Sequence, residues 1–196
     1  EHTSRGLGDV YKRQGDTGKS FERYLDKKKY DYEIFDKNIS QYNLNYDFQD
    51  FDQILCSPGI PKDIFENIKT QNNNVFTDVD IFFNEDGSIK IGITGTNRKS
   101  TTAFHLHQLF KKYKPSNLVG NIGNTILDYI NNGKKFSIIE LSSFQLDKMD
   151  HNRLDYGILI NIEEDHLDYH GNLKSYKQAK ERILLANQSN SFEKDP

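Results

Sequence analysis

The residue types best suited to chemistry sit behind one apolar run. Ile89-Lys90-Ile91-Gly92-Ile93-Thr94 reads as a buried strand, and Gly95-Thr96-Asn97-Arg98-Lys99-Ser100-Thr101 follows it directly. Strand, glycine-containing loop, Lys-Ser-Thr and helix is the order of a phosphate-binding loop. Backbone N–H groups of such a loop and of the helix start face the phosphates. Lys99 then supplies a charge beside the β/γ oxygens, and Ser100 and Thr101 supply hydroxyls for Mg²⁺. The pattern is imperfect. A glycine is expected immediately before the lysine and another five positions earlier, where Arg98 and Ile93 stand. Glycine serves there because the backbone adopts positive φ or approaches a phosphate. Arg98 either tolerates that geometry at roughly 1–2 kcal/mol or marks an impaired site. A β–α turn without a ligand is the plainer alternative.

These residues need a scaffold, and the flanking sequence reads as alternating strands and helices. Gly15–Ser20 is a turn opening a helix through about Lys28. Tyr32–Phe35 is a short strand ending at Asp36. Phe51–Cys56 is a strand stopped by Ser57-Pro58-Gly59, and Pro61 starts a helix. Val75-Phe76 is one more short strand. After the polar stretch Asn84–Ser88, strands are predicted at Ile89–Thr94, Ser137–Leu141 and Tyr156–Asn161, the last two apolar enough to be buried. A helix through about Lys112 carries Ala103, Leu106, Leu109 and Phe110 on one side, and another runs from Leu173 to Asn187. The alternation predicts an α/β fold with parallel sheets: a Rossmann-like domain over 15–88 and a nucleotide-binding domain over 89–196. Residues 1–14 show neither strand alternation nor a helical stripe. They are set aside as a non-native appendage or a flexible terminus.

Composition narrows the class. The 196 residues carry a net charge of -3 and 12% aromatics, which excludes a disordered chain and disfavours nucleic acid as a partner. The single cysteine, Cys56, rules out an internal disulfide and fits a reducing cytoplasm. It lies in an apolar strand and reads as a small core residue. No apolar run approaches the ~20 residues that span a bilayer, so no membrane is expected. His105 and His107 are two apart on a helix and face different ways. They make no metal pair.

Six segments in order resemble one family. Gly92–Thr101 is similar to the GITGTNGKST loop of the Mur ligases and folylpolyglutamate synthases. Glu140-Leu141-Ser142-Ser143-Phe144-Gln145-Leu146 resembles the ELSSFQL segment of the D-glutamate-adding Mur ligases. Asn161–Asp168 resembles their N-x-x-x-DHLD segment, and Tyr176–Lys180 their Y-x-x-AK helix. Asp16–Ser20 and Ser57–Pro61 resemble the first-domain turn and the SPGIP segment. The resemblance covers about residues 15–188.

It implies an ATP-dependent ligase of peptidoglycan precursor synthesis. The reaction joins D-glutamate to UDP-N-acetylmuramoyl-L-alanine through an acyl phosphate, in a cytoplasmic monomer using ATP and Mg²⁺. It further implies ATP contacts from Gly95, Thr96, Asn97, Arg98, Lys99, Ser100 and Thr101. Glu140 and His166 would hold Mg²⁺, as would Lys180 once carbamylated by CO₂. Asn121, in the turn Gly120–Gly123, and Ser143 would face the substrate. Thr17, Gly18, Ser57, Pro58 and Gly59 would meet the UDP diphosphate, and Asp36 the uracil. A third domain and the later part of the second are expected to be missing from this chain, leaving it unable to turn over alone. Another Mur ligase with a different amino acid, or a non-catalytic nucleotide-binding remnant, remains the alternative.

Overall fold

The computed structural model describes residues 5–8 as backbone, and residues 15–35 and 47–185 in full. The chain forms two compact units. One contains Glu1–Glu85 with Thr125–Ile130 and Lys148–Asp150. The other contains Asp86–Asn124, Asn131–Asp147 and His151–Pro196.

The first unit holds a four-stranded parallel sheet. Its strands are β1 (Arg5–Gly8), β2 (Asp31–Ile34), β3 (Gln53–Leu55) and β4 (Val75–Phe76), in the order β2-β1-β3-β4. The sequence reading set residues 1–14 aside, yet Arg5–Gly8 is an interior strand. It pairs Gly6 with Tyr32 on one side and with Gln53 on the other. Arg-Gly-Leu-Gly has one apolar side chain, so no periodicity marks it. A strand with neighbours on both sides is held by its backbone ladder.

Helix α1 (Asp16–Lys28) buries Gly18, Phe21 and Leu25, which share one face at helical spacing. It stops where Lys29 turns left-handed (φ 59) and the Tyr30 N–H returns to Leu25 O at 3.1 Å. Helix α2 (Lys62–Gln71) starts one position later than expected, with Pro61 as its cap and not its first residue. It packs Phe65 and Ile68 with Ile54, Cys56 and Ile60 into one core cluster.

Helix α3 (Asp78–Glu85) had no counterpart in the sequence reading. Val79, Ile81, Phe82 and Phe83 are all buried, so its apolar residues draw no stripe. Its start is a reciprocal cap. The Thr77 N–H donates to Asp80 Oδ2 at 2.8 Å, and the Asp80 N–H donates to Thr77 Oγ1 at 3.3 Å.

The second unit holds another parallel sheet. Its strands are β5 (Ile89–Thr94), β6 (Ser116–Gly120), β7 (Phe136–Glu140) and β8 (Tyr156–Leu159), in the order β6-β7-β5-β8. Strand β7 is buried as expected. Strand β8 is not, because it lies at the sheet edge among the described residues and Tyr156 is 52% exposed. Helix α4 (Lys99–Lys111) covers the sheet with Ala103, Leu106 and Phe110. Leu109, expected on that face, is 56% exposed. Short helices α5 (Ser143–Lys148) and α6 (Leu167–His170) lead to α7 (Leu173–Glu181), which gives way to a 3-10 turn over Arg182–Leu185. The expected continuation to Asn187 lies outside the described residues.

Candidate active site

The second unit gathers the loop, Glu140, His166 and Lys180 at the carboxyl ends of its strands. Strand β5 runs into the loop and α4 leaves it. The Arg98 backbone is left-handed, φ 64 and ψ 17, and caps α4. The glycine-like geometry is therefore present without the glycine. Gly95 is held tightly: a Cβ there would stand 3.2 Å from the Ile160 Cβ. Lys99 folds back to donate to Thr96 O at 2.8 Å.

Asn161, just past β8, pins the loop. Its Oδ1 accepts the N–H groups of Thr96 at 3.0 Å and Asn97 at 2.9 Å. The Thr96 hydroxyl meets the Tyr176 hydroxyl at 3.0 Å and accepts the Glu163 N–H at 2.9 Å. Sequence reasoning gave no role to Asn161 or Tyr176. The available signal was a polar amide at a strand end in register with the loop.

Glu140 ends β7 beside β5, paired with Ile93. Its side chain is 1% exposed. Oε1 accepts from Asn121 Nδ2 at 3.3 Å, while buried Oε2 has no hydrogen-bond partner among the described residues. The Gly120-Asn121 turn sits against this residue, and the Asn121 N–H donates to Glu140 O at 2.9 Å. Gly120 makes the approach possible. It has φ +100, and a Cβ would lie 2.2 Å from Glu140 O.

Lys180 on α7 is likewise 1% exposed. Its ammonium donates to Gly95 O at 2.7 Å and lies 4.9 Å above the Tyr176 ring. Burial, reinforced by the nearby Lys99 cation and opposed by Asp165, lowers its pKa from 10.5 to about 8. The Lys174 and Lys177 side chains stay at the surface, so this helix lysine differs from its neighbours.

His166 caps α6 with a left-handed backbone, φ 50. Its ring is 3.5 Å from Asp165 Oδ2 and packs 4.9 Å from Phe144. Ser143, expected to face a substrate, is 2% exposed, and its hydroxyl pairs with His170 Nε2 at 3.0 Å. The start of α5 turns that hydroxyl inward, so it is spent inside the protein. Ser100 and Thr101 are exposed in the first turn of α4.

The residues fit a phosphate-borne divalent cation. A buried carboxylate oxygen lacks a partner at the strand end, and hydroxyls stand at the helix start. No group of three His, Cys, Asp or Glu is preassembled among the described residues. Mg²⁺ commonly binds through one or two carboxylates plus substrate phosphates, so no such cage is required.

In the first unit, Thr17 and Gly18 lie in the first turn of α1, and Ser57-Pro58-Gly59 form the turn after β3. Ser57 is buried, and Pro58 O accepts from Lys148 Nζ at 2.8 Å. Both segments follow strands of one parallel sheet, the usual place for a ligand crevice. Asp36 lies outside the described residues.

Residues 93–192 match the family profile of the Mur ligase middle domain. The chain belongs to the Mur ligase family. It is 37% identical over 145 residues to the UDP-N-acetylmuramoylalanine--D-glutamate ligase of Clostridioides difficile, covering 71% of this chain and 32% of that one. It is 40% identical over 158 residues to the ligase of the same name from Francisella tularensis subsp. novicida, covering 76% and 37%. The chain thus spans about a third of the length of these relatives. The fold is like that of a solved Mur ligase, the UDP-N-acetylmuramate:L-alanyl-gamma-D-glutamyl-meso-diaminopimelate ligase from Neisseria meningitides. That match has a TM-score of 0.56 at 13% identity, covering 96% of this chain and 70% of the other.

Proposed function

We propose that this Mur ligase chain carries the nucleotide-sugar and phosphate ends of an ATP-dependent ligase joining D-glutamate to UDP-N-acetylmuramoyl-L-alanine. The observation that carries the reading is the pair of buried charged side chains, Glu140 at the end of the strand beside β5 and Lys180 bonded to Gly95 O of the loop. The two D-glutamate ligases that this chain resembles supply the substrate identities.

In this reading the γ-phosphoryl of ATP passes to the L-alanyl carboxylate, releasing ADP. The D-glutamate amine then attacks the acyl carbon of the acyl phosphate, and inorganic phosphate leaves. Lys99 and the start of α4 cradle the phosphates. Bound Mg²⁺ would neutralise developing charge on the phosphoryl oxygens, with Ser100, Thr101, Glu140 and His166 as its protein ligands. Asn121 orients the reacting end of the substrate beside Glu140. Thr17, Gly18 and the Ser57–Gly59 turn receive the UDP diphosphate.

Lys180 has a distinct task. A free amine adds to CO₂, forming a carbamate and releasing a proton. A pKa of about 8 keeps roughly a tenth of this amine neutral at pH 7. The carbamate offers the anionic oxygen that Mg²⁺ prefers.

The test is phosphate release by the product of the complete reading frame, supplied with ATP, Mg²⁺ and UDP-N-acetylmuramoyl-L-alanine. D-Glutamate should drive release, whereas L-lysine and meso-diaminopimelate should not. Lys180→Ala should lose activity, with at most partial rescue by formate or acetate. Equal release with all three amino acids, or wild-type activity in Lys180→Ala, defeats the reading.

A further inference from the structure

We propose that Arg98 is a second phosphate-binding cation of the loop, contacting the polyphosphate of the nucleotide beside Lys99. This rests on the nucleotide reading above and assigns a role to the residue that stands where the family's loop has glycine. Three observations carry it.

The first is that the loop keeps its shape. Arg98 holds φ 64 and ψ 17, and its carbonyl accepts the Thr102 N–H at 3.0 Å, so α4 starts in register. The substitution has not unfolded the helix N-terminus of a 13-residue helix. The second is that the side chain does nothing for the protein. It is exposed, and among the described residues no hydrogen bond or ion pair holds its guanidinium. The left-handed strain is therefore not repaid by a contact within the protein.

The third is a shortage of free donors in the loop. Asn161 Oδ1 takes the N–H groups of both Thr96 and Asn97, so neither is offered to a phosphate. Lys99 spends one of its three N–H groups on Thr96 O, and Lys180 donates to Gly95 O. Arg98 caps α4, whose first amides have no partner within the helix. Its planar fork can take two phosphate oxygens at once, which an amide cannot. The chemistry favours a nucleoside di- or triphosphate over a monophosphate, because the extra cation needs a phosphate beyond the one seated on the helix start.

Calorimetry with MgATP, MgADP and AMP on the wild type and on Arg98→Gly, Arg98→Ala and Arg98→Lys tests this, with thermal melts of each. Arg98→Gly should melt higher because the strain is gone, yet bind MgATP about 5- to 10-fold more weakly, the loss expected for one partly exposed charge-assisted contact. Arg98→Ala keeps the strain and should melt like the wild type while binding as weakly as the glycine variant. Arg98→Lys should keep part of the affinity. AMP should not distinguish the variants, and the affinity of both neutral variants should depend less on KCl. If Arg98→Gly and Arg98→Ala bind MgATP as tightly as the wild type or tighter, Arg98 is a lesion and the proposal is overturned. A wild type that binds none of the three nucleotides overturns the nucleotide reading itself.

Discussion

Replacing Lys180 by methionine keeps an unbranched side chain of similar length and removes its charge. The lysine is buried, and its pKa falls from 10.5 to about 8, chiefly through burial and then through the Lys99 cation. At about 1.36 kcal/mol per unit, holding the protonated form in the fold at pH 7 costs roughly 3 kcal/mol. Methionine removes that penalty but leaves Gly95 O without the donor now 2.7 Å away, at about 1–2 kcal/mol. The variant should therefore be more stable than the wild type by about 1–2 kcal/mol at pH 7. The folded pKa lies below the unfolded one, so between pH 8 and 10.5 the unfolded chain binds more protons. Stability of the wild type accordingly rises with pH across that window, relative to the variant. Above it the lysine is neutral in both states, the charge penalty has gone, and the order reverses. Urea melts followed by circular dichroism from pH 7 to 10.5 would show the two stabilities crossing. A difference constant over that range would refute the argument, because it would mean that burial does not disfavour the Lys180 charge.

Glu140→Gln removes the anionic character of a buried oxygen with no partner, so stability should hold or rise. The Mg²⁺-dependent part of ATP binding should fall by an order of magnitude or more, and calorimetry with and without EDTA reads it. Gly120→Ala would push a Cβ to 2.2 Å from Glu140 O at a positive φ. A loss of at least ~2 kcal/mol in a denaturant melt is expected, and a neutral effect would show that the turn can shift away. Arg23 donates to both oxygens of Asp128, at 2.9 and 2.6 Å, but half its side chain is exposed. Arg23→Ala should cost less than about 1 kcal/mol and nothing measurable at high salt. The hydrogen bond to Arg23 lowers the Asp128 pKa below 3.8, so the pair stabilises above that pH and loses its contribution as the pH falls further.

The legible parts of this chain are those where period, turn chemistry and motif agree. Ile89–Thr94 reads as a strand because β-branched residues run up to a glycine loop, and β5 has those bounds. Helix α1 shows its stripe through Phe21 and Leu25. The illegible parts have other causes. Arg5–Gly8 has no alternation in its sequence to mark it, and α3 is buried so fully that its apolar residues draw no stripe. Strand β8 has the composition of a buried strand, but position in the sheet, which composition does not encode, leaves Tyr156 exposed. At the site, residue types announced Lys99 and the hydroxyls. The burial of Lys180 was invisible, because α7 also carries Lys174 and Lys177 and only the packing against Tyr176 and Gly95 separates them. Asn161 was missed because its partners are backbone N–H groups that sequence cannot display.

Two buried lysines in the second unit show how structural charge differs from functional charge. Lys90 donates to Asp86 O at 2.5 Å and Ser88 O at 3.1 Å. Burial lowers its pKa, but the Asp86 and Asp155 carboxylates pull in the other direction, so its charge is matched where it lies. Lys180 is also lowered by burial, yet its strongest charged neighbour is another cation, Lys99, which pushes the same way. A lysine kept for stability would be expected beside acids, as Lys90 is. Lys180 is instead placed with a second cation, in the unit where a Glu140 carboxylate oxygen has no partner among the described residues and Arg98 is held left-handed, which is the arrangement that the proposed nucleotide site would use. In the proposed function a polyphosphate with its metal would offset these charges: Lys99 would meet phosphate oxygens, carbamylation would replace the Lys180 cation by an anion, and the Glu140 oxygen would gain a metal partner. Substitutions that relieve these charges or the Arg98 strain, at Lys180, Glu140 and Arg98, should therefore each weaken nucleotide binding.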